Sequence, residues 1–249
     1  MLAQACVFAP GSIGNLGPGL DILGLAIGGL GDTVTAVRSA RPGVVIDDPG
    51  DPSLPTDPAR HSSGIAAAEV LSRGEAKFGI RIRLSKGLPI SGGQGGSAAS
   101  AVAGAIAANL LLDRPLDQTA LLHAALSAET AVSGRHADNI APILLGGLVL
   151  IRSLDPLEVI RLPVPAALRV VLAHPDRRMP TREARAALPA SVTREIALHQ
   201  AAQVAAIVAA AFTGDLALLG RAIDDRIAEP ARGPMLTGFV EAKRAEKET

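Results

Sequence analysis

The chain has 249 residues, 48% of them hydrophobic and 19% charged, and its formal net charge at pH 7 is zero. This composition excludes an intrinsically disordered chain, and the length suits one large domain or two modest ones. Because the sequence has neither a basic run nor an aromatic stacking surface, we expect no nucleic-acid partner. The single cysteine, Cys6, excludes an internal disulfide and a cysteine-based zinc site, and its apolar neighbours predict a buried thiol.

The hydropathy pattern predicts a cytoplasmic protein without a membrane partner. No stretch reaches the ~18 uninterrupted apolar residues of a membrane span. The opening residues MLAQACVFAPGS also lack the basic start and the long apolar core of a secretion signal.

The first 90 residues are predicted to be mainly strands. Alternating apolar and polar residues predict strands at residues 4–12, 32–39, 43–48 and 79–90. Within residues 4–12 the strand itself should end at Pro10 and Gly11, and a segment of turns follows as far as Asp21. A loop containing Asp-Pro pairs precedes a helix that should be capped by Ser62 or Ser63 and stop near Gly79.

The chain after residue 90 is predicted to be mainly helical. The predicted elements are a central buried helix, an amphipathic helix and a strand, at residues 97–112, 117–134 and 146–153. A proline-rich segment around 153–166 divides the chain into two predicted domains, 1–160 and 161–249. The second domain is predicted to be mostly helical from residue 181 onward. The overall prediction is an α+β fold.

Residues 89–100 read PISGGQGGSAAS and place four glycines in five positions directly before a helix. The first turn of a helix has unpaired N–H groups and the positive end of the helix dipole. Glycines let such N–H groups surround an anion without side chains in the way. Ser97 can add a hydroxyl group to a phosphate or to its magnesium ion. A nucleotide phosphate is therefore the favoured ligand, and a flexible surface loop is the alternative.

Two other nucleotide motifs compete with this interpretation. A P-loop requires a lysine after its last glycine, and none follows Gly96. A dinucleotide fingerprint is satisfied by G-x-G-x-x-A from Gly93, with Asp113 at the expected distance. However, the residues between Gly96 and Asp113 form one helical run, which leaves no room for the strand that should carry the acid. The dinucleotide site stays the less favoured alternative.

Further motifs accompany this loop in the order found in a known family. LPISGGQGGSAASAVAGAIAANLL resembles the phosphate-loop motif of the GHMP small-molecule kinases. APGSIGNLGPGLDILGLAI and HADNIAPILLGGLVL resemble the N-terminal and central signatures of the homoserine kinases among them, and MPTREAR and IAEPARGPML resemble two later stretches. The resemblance implies a two-domain GHMP kinase fold, with an N-terminal nucleotide-binding α/β domain and a C-terminal ferredoxin-like α+β domain.

The sequence departs from the family pattern at three places. Gln94 and Gly96 stand where the family loop usually has leucine and serine. The segment between Gly134 and His136 is one residue short. The family's glycine- and serine-rich segment near the C-terminus has no counterpart, so we expect a C-terminal domain without its last strand, in a truncated chain or a weakened enzyme.

The resemblance implies a site for ATP, Mg²⁺ and an amino-acid substrate. The ATP-binding residues that it implies are Pro89, Ile90, Ser91, Gly92, Gly93, Gln94, Gly95, Gly96, Ser97, Ala98 and Ala99. Those implied for Mg²⁺ are Ser97 and Glu129, and the catalytic residues are Asn139, Ser97 and Glu129. The substrate-binding residues that it implies are Asn15, Asp21, His136, Asn139, Thr181, Arg185 and Arg232. Asp21 would bind the ammonium group and the arginines the carboxylate, whereas Asp138 is favoured as a structural residue over a general base.

The reaction that the resemblance implies is transfer of the ATP γ-phosphoryl group to the side-chain hydroxyl of L-homoserine, a step toward threonine. The resemblance also allows a homodimer. Two alternatives stay open. One is a weak or inactive binding protein, favoured by the missing C-terminal motif, and the other is a related kinase that acts on another small alcohol.

Overall fold

The computed structural model describes residues 2–172, 181–239 and 241–243 and contains a six-stranded sheet with helices packed against it. The strands are β1 Gln4–Gly14, β2 Leu23–Ser39, β3 Gly43–Asp48, β4 Gly79–Ser85, β5 Leu148–Leu154 and β6 Leu157–Leu162. The helices are α1 Ser62–Arg73, α2 Gly96–Leu111, α3 Gln118–Val132, α4 Ile140–Leu145, α5 Thr181–Ala186, α6 Arg194–Thr213, α7 Leu216–Ala222 and α8 Ala228–Arg232, with a 3-10 helix at Gly233–Met235. These elements confirm the predicted α+β class.

The long strand β2 organises the sheet. It pairs antiparallel with β1 along most of its length, with β4 through Thr33–Ser39 and with β5 through Leu23–Leu25. The strand β3 adds parallel to β4, and β6 adds antiparallel to β5. The resulting order is β3-β4-β2-β5-β6, with β1 also on β2. The turn between β1 and β2 is thereby placed beside the residues that follow β4.

The predicted end of the first strand is wrong. The strand β1 continues past Pro10 to Gly14, because the register with β2 shifts between Pro10 and Gly11 and pairing then resumes. Proline is tolerated at such a bulge and on a strand that pairs on one side only. The prediction of a buried Cys6 is also wrong, because its thiol is exposed. Alternate residues of β1 face the core, and Cys6 lies on the opposite face from Ala5 and Val7.

Two predicted boundaries further along the chain are also corrected. The helix α1 ends at Arg73, short of Gly79, because Gly74 leaves the helical conformation and Glu75 has a positive φ of 50°. It begins at Ser62 with His61 as its N-cap residue, so the predicted cap at Ser62 or Ser63 is wrong, because His61 is the last residue with an extended backbone before the helix. The strand β4 ends at Ser85, short of residue 90, because the next backbone N–H groups turn toward a buried carboxylate described below. Its inward-facing residues Ile80, Ile82 and Leu84 are buried, as the alternation predicts.

The main core lies between the sheet and helices α1–α4. The helix α2 runs through its centre with nearly all of its residues buried, which confirms the predicted buried helix. Its contact with α1 is very close at Gly104, where an added Cβ atom would lie 2.6 Å from the carbonyl oxygen of Ser63. The glycine-rich loop therefore leads into a helix that is buried along nearly its whole length.

A second core joins the other end of the sheet to α6 and α7. Leu23 and Leu148 of the sheet pack with Ile207 of α6 and Leu219 of α7. By length and composition alone α6 is apolar enough to cross a membrane, although no other described helix is. Its buried Gln200, however, donates to the carbonyl oxygen of Pro18 at 3.1 Å, a contact within the chain.

The described residues after Leu162 contribute helices and no strand. The ferredoxin-like arrangement of this half and the domain division at residue 160 therefore stay predictions. Residues 179 and 180 of the MPTREAR motif lie outside the described residues, and α5 begins directly after them.

Candidate active site

A cavity of about 530 Å³ lies between the glycine-rich loop, the turn after β1 and the helices α5 and α8. The predicted site residues on its wall are Asn15, Asp21, residues 89–93, residues 95–97, Glu129, His136, Asn139, Arg185 and Arg232, and Asp138 joins them. Gln94, Ala98 and Ala99 are not on the wall. Ala98 and Ala99 are fully buried in α2, and Thr181 is described only in its backbone.

The glycine-rich loop reaches α2 through two glycines in the left-handed region. Gly93 has a φ of 72° and Gly95, the N-cap residue of α2, a φ of 70°. No side chain caps the helix, so its first N–H groups stay available to a ligand. An added Cβ atom at Gly95 would lie 2.2 Å from Ser12 Oγ, whereas at Gly93 it would meet nothing within 4 Å. Gly95 is therefore needed for close packing as well as for its conformation.

Ser12 connects the loop to the central signature. Its hydroxyl donates to Asn139 Oδ1 at 2.8 Å, and its backbone N–H donates to the carbonyl oxygen of Gln94 at 3.1 Å. Asn139 precedes α4 and faces the cavity. This network holds Asn139, which was predicted to be catalytic, beside the glycine-rich loop. The local sequence pattern gives no indication of Ser12.

Ser97 and Glu129 are in direct contact. The Ser97 hydroxyl donates to Glu129 Oε2 at 3.0 Å and lies 3.3 Å from the Ser133 hydroxyl. Glu129 is only 3% exposed. Burial raises the pKa of its carboxyl group, and His136 and the Ser97 hydroxyl offset part of this effect. The apolar neighbours of Glu129 in the sequence predict this burial. A buried carboxylate requires a hydrogen-bonding or charged partner.

These oxygen ligands suit Mg²⁺. In the part of the chain that the structure describes, no three His, Cys, Asp or Glu side chains converge as a metal cluster. Mg²⁺ does not need such a cluster, because it usually binds one or two carboxylates together with substrate phosphates and water. The carboxylate of Glu129 and the hydroxyl of Ser97 stand at the start of α2, where the glycine-rich loop can bring a phosphate group.

His136 lies between two carboxylates. Its Nδ1 atom is 3.7 Å from Glu129 Oε1 and 3.5 Å from Asp138 Oδ1, and its Nε2 atom is 3.3 Å from the carbonyl oxygen of Ser133. Burial acts to lower the pKa of His136, but Asp138 and Glu129 outweigh it and raise the pKa above its ordinary value. His136 and Asp138 are both largely buried where they line the cavity. This geometry suits a charge-balancing role for the pair.

The turn after β1 presents Asp21. Asn15 and Asp21 adopt positive φ values of 68° and 63°, which these two residue types tolerate better than most. The Asn15 side-chain oxygen accepts the backbone N–H of Asp21 at 2.9 Å and so fixes the turn. Burial raises the pKa of the Asp21 carboxyl group, and the nearby Arg185 guanidinium partly offsets this increase.

Arg185 pairs with Asp21 in a bidentate arrangement. The guanidinium donates to both carboxylate oxygens at 2.8 Å, so the residues expected to bind opposite ends of the substrate bind each other. Arg232 lies alongside, and its Nε atom donates to the carbonyl oxygen of Ala184 at 2.8 Å. Burial lowers the pKa of Arg232, and the positive charge of Arg185 adds to this effect. Two cations and one carboxylate thus meet at this end of the cavity.

Another part of the cavity wall comes from the loop before α1, where the sequence has no recognisable motif. The residues that form it are Leu54, Pro55, Arg60, His61 and Ser62. Leu84 and Lys86, at the end of β4, also line the cavity, and the Lys86 ammonium lies 3.3 Å from the carbonyl oxygen of Gly96 in the glycine-rich loop. His61 is buried, and its two ring nitrogens lie 2.8 Å from the Ser63 hydroxyl and 3.3 Å from the carbonyl oxygen of Pro49. Burial lowers the pKa of His61. The loop before α1 was predicted only as a loop, because its Asp-Pro pairs contain no chemical motif.

Known proteins resemble this chain over most of its length. The family profile described as the GHMP kinases N terminal domain matches residues 63–147. The homoserine kinase of Chlorobium phaeovibrioides is 42% identical over 96% of this chain and 78% of that protein. The homoserine kinase of Arabidopsis thaliana is 42% identical over 97% of this chain and 68% of that protein.

A solved structure shows the same similarity. The crystal structure of homoserine kinase from Cytophaga hutchinsonii superposes with a TM-score of 0.92 and 37% sequence identity. The superposition covers all of this chain and 80% of that one. The sheet order and the helix packing described above are therefore shared with a solved kinase.

Proposed function

The chain belongs to the homoserine kinase family of the GHMP kinases, and we propose that it transfers the γ-phosphoryl group of ATP to the side-chain hydroxyl of L-homoserine. One observation carries this proposal. A single cavity has a bare helix start with Ser97 and Glu129 at one part of its wall and the Asp21, Arg185 and Arg232 charges at another. The first group suits a magnesium-bound phosphate, and the second suits the two charged groups of an amino acid.

The glycine-rich loop would bind the phosphates of ATP through backbone N–H groups. Gly93 leaves open space beside the loop, and Gly95 lets the backbone approach Ser12. The Ser97 hydroxyl and the Glu129 carboxylate would hold Mg²⁺, which neutralises the charge on the transferring group when it is bound. The end of the cavity formed by residues 54–62 is then left for the nucleoside.

The substrate would exchange with the internal ion pair of the site. L-Homoserine carries an ammonium group that can take the place of the Arg185 guanidinium at Asp21, and a carboxylate that can take the place of Asp21 at Arg185. Arg232 supplies further positive charge for the carboxylate. A zwitterionic substrate gives both Asp21 and Arg185 a new counter-charge when their ion pair breaks. A singly charged alcohol leaves one of the two without a counter-charge, which costs binding free energy.

Phosphoryl transfer itself needs positioning and charge neutralisation more than a base. The hydroxyl oxygen of homoserine forms a bond to the γ-phosphorus, the bond from that phosphorus to the bridging oxygen of ADP breaks, and the hydroxyl proton passes to solvent. Asn139, fixed by Ser12, would orient the reacting groups. We assign Asp138 the role of holding His136 in place, and we assign it no role in proton transfer.

The comparisons do not favour a protein that only binds these ligands or a kinase for another alcohol, because both curated relatives are homoserine kinases over most of their length. The proposal is tested by ADP release with homoserine, two singly charged analogues of it, and mevalonate. Homoserine should react at least a hundredfold faster, by kcat/KM, than 4-hydroxybutyrate, which lacks the ammonium group, and 3-aminopropanol, which lacks the carboxylate. Equal rates on all three, or preference for mevalonate, would exclude homoserine as the substrate.

The variants sharpen this comparison. Arg185→Ala and Arg232→Ala should reduce the ratio of kcat/KM for homoserine to kcat/KM for 3-aminopropanol. Asp21→Ala should reduce the corresponding ratio for homoserine and 4-hydroxybutyrate. ATP affinity should stay unchanged in all three. Ratios that these substitutions leave unaltered would show that the two charged ends are recognised elsewhere.

A further inference from the structure

A fully buried carboxylate, Asp32, lies beside the phosphate loop. It is 0% exposed and stands in β2 next to the register shift between β1 and β2. Its Oδ1 atom accepts the backbone N–H groups of Gly87 and Leu88, both at 3.2 Å. Its Oδ2 atom accepts the Ser100 hydroxyl at 2.7 Å and the Lys86 ammonium at 2.5 Å. Four donors satisfy this carboxylate, and neither the phosphate-loop motif nor the substrate residues include it.

The donors come from both ends of the phosphate loop. Gly87 and Leu88 lie where the chain leaves β4, and Ser100 lies one turn into α2. Asp32 therefore holds the entry and the exit of the loop to one point of the sheet. The entry is also packed tightly, because an added Cβ atom at Gly87 would lie 2.1 Å from the carbonyl oxygen of Gly31. The position of the loop relative to β2 depends on these contacts.

Lys86 connects this carboxylate to the cavity. Its side chain is 10% exposed and lines the cavity wall beside Gly96. An ammonium group has three N–H donors. One binds Asp32 and one reaches the carbonyl oxygen of Gly96 at 3.3 Å. The third contact, to Ser100 Oγ at 3.5 Å, lies at the outer limit of a hydrogen bond. A phosphate oxygen in the cavity can replace this contact.

We propose that Asp32 is a positioning residue that fixes the phosphate loop and holds the Lys86 ammonium toward the phosphates of ATP. The inference rests on the proposed function, because it requires ATP in this cavity. A merely structural ion pair is the alternative. Buried ion pairs can often be replaced by neutral residues of similar size without loss of stability. Stability and ATP affinity can therefore be separated by experiment.

The test uses Lys86→Met, Asp32→Asn and the double variant, with the exposed Lys77→Met as a matched control. Urea unfolding gives the stability, and calorimetry with Mg²⁺ gives the affinities for ATP and adenosine. Lys86→Met alone should be destabilised, because it leaves Asp32 buried without a counter-charge, and the double variant should recover much of that loss. ATP affinity should nevertheless be at least tenfold weaker than in the wild type, both in Lys86→Met and in the double variant. Their affinity for adenosine should equal that of the wild type.

A kinetic comparison adds a result that a structural role would not produce. In Asp32→Asn the KM for ATP should rise several-fold, whereas the KM for homoserine stays unchanged. The inference is overturned if the folded double variant binds ATP as the wild type does, or if adenosine binding falls as much as ATP binding. If the double variant does not fold, Asp32→Asn decides alone, and wild-type ATP affinity there overturns the inference. A wild-type chain that does not bind ATP overturns the proposed function as well.

Discussion

Gly93 and Gly95 share a left-handed backbone conformation, but only Gly95 is packed against another part of the chain. Alanine at either position should cost roughly 1–2 kcal/mol of conformational strain. At Gly95 the new Cβ atom must also displace Ser12 and Asn139. We expect Gly95→Ala to weaken ATP binding more than tenfold and more than Gly93→Ala does, and Gly95→Val to weaken it further, as measured by calorimetry. Equal affinities of the two alanine variants would show that the contact with Ser12 does not shape the phosphate site.

Glu129 is the residue on which magnesium binding should depend. Glu129→Gln keeps the shape of the side chain and removes its charge, so the magnesium concentration for half-maximal activity should rise and kcat should fall, with little change in homoserine KM. Glu195→Gln, an exposed substitution of the same kind on α6, is the control. Superimposable magnesium titrations of Glu129→Gln and the control would assign Glu129 a purely structural role.

Asp21 should make homoserine binding dependent on pH. Burial raises the pKa of its carboxyl group, so Asp21 takes up a proton at a higher pH than an exposed aspartate does. Only the ionised form attracts the substrate ammonium group. The affinity for homoserine should therefore fall with acidification through this raised pKa, before the pH reaches the ordinary range of aspartate. Asp21→Asn should bind weakly with no such pH dependence. Parallel calorimetric pH profiles for both proteins would contradict this role.

At the scale of single residues, the sequence predicts which residues form the site better than it predicts the contacts between them. Ser97 and Glu129 were named together from the family resemblance, and the structure brings their side chains into contact. Asp32 and Lys86 are 54 positions apart, and Ser12 and Asn139 are 127 apart. Such contacts form only when the sheet brings distant segments together, so a local pattern cannot predict them.

The sequence predicts the presence of helices and strands better than it predicts where they end. The alternation of β4 and the apolar character of α2 predict both elements, because burial on one face or on all sides leaves a direct periodic pattern. The end of α1 was missed, because Glu75 adopts a positive φ that is unusual for its residue type. The continuation of β1 beyond Pro10 was missed, because pairing with β2 outweighs the local preference for a turn.

The contact between α1 and α2 depends on the absence of a side chain at Gly104. Gly104→Ala places a Cβ atom 2.6 Å from a backbone oxygen of α1, so one helix must move. We expect a loss of about 1–3 kcal/mol in the free energy of unfolding. Gly220→Ala in α7 is the matched control, because its Cβ atom meets nothing within 4 Å. That substitution should stabilise the protein by up to about 1 kcal/mol through helix propensity. Urea unfolding of both variants measures whether the free energy of unfolding falls in Gly104→Ala and rises in Gly220→Ala.

For the whole molecule, the motif order predicted the family and the α+β class, and the comparisons confirm both. The order of strands in the sheet was not predicted, because pairing between β2 and β5 joins segments more than a hundred residues apart. The pairing of Asp21 with Arg185 was also not predicted. The family resemblance implies that each residue binds a different end of the substrate, and only the folded chain shows that the two side chains pair with each other when no substrate is bound.

Homoserine should link distant parts of the molecule, because its expected contacts come from the turn after β1, from α5 and from α8. A ligand at a hundred times its dissociation constant stabilises a protein by about 2.7 kcal/mol, which corresponds to a rise in Tm of about 5–10 °C for a chain of this size. Arg232→Ala should lose most of the Tm shift produced by homoserine and keep the shift produced by ATP with Mg²⁺. Arg194→Ala, which changes an exposed arginine at the start of α6, should keep both shifts. If Arg232→Ala retains the full homoserine shift, α8 does not take part in substrate binding, and the carboxylate must be held by Arg185 alone.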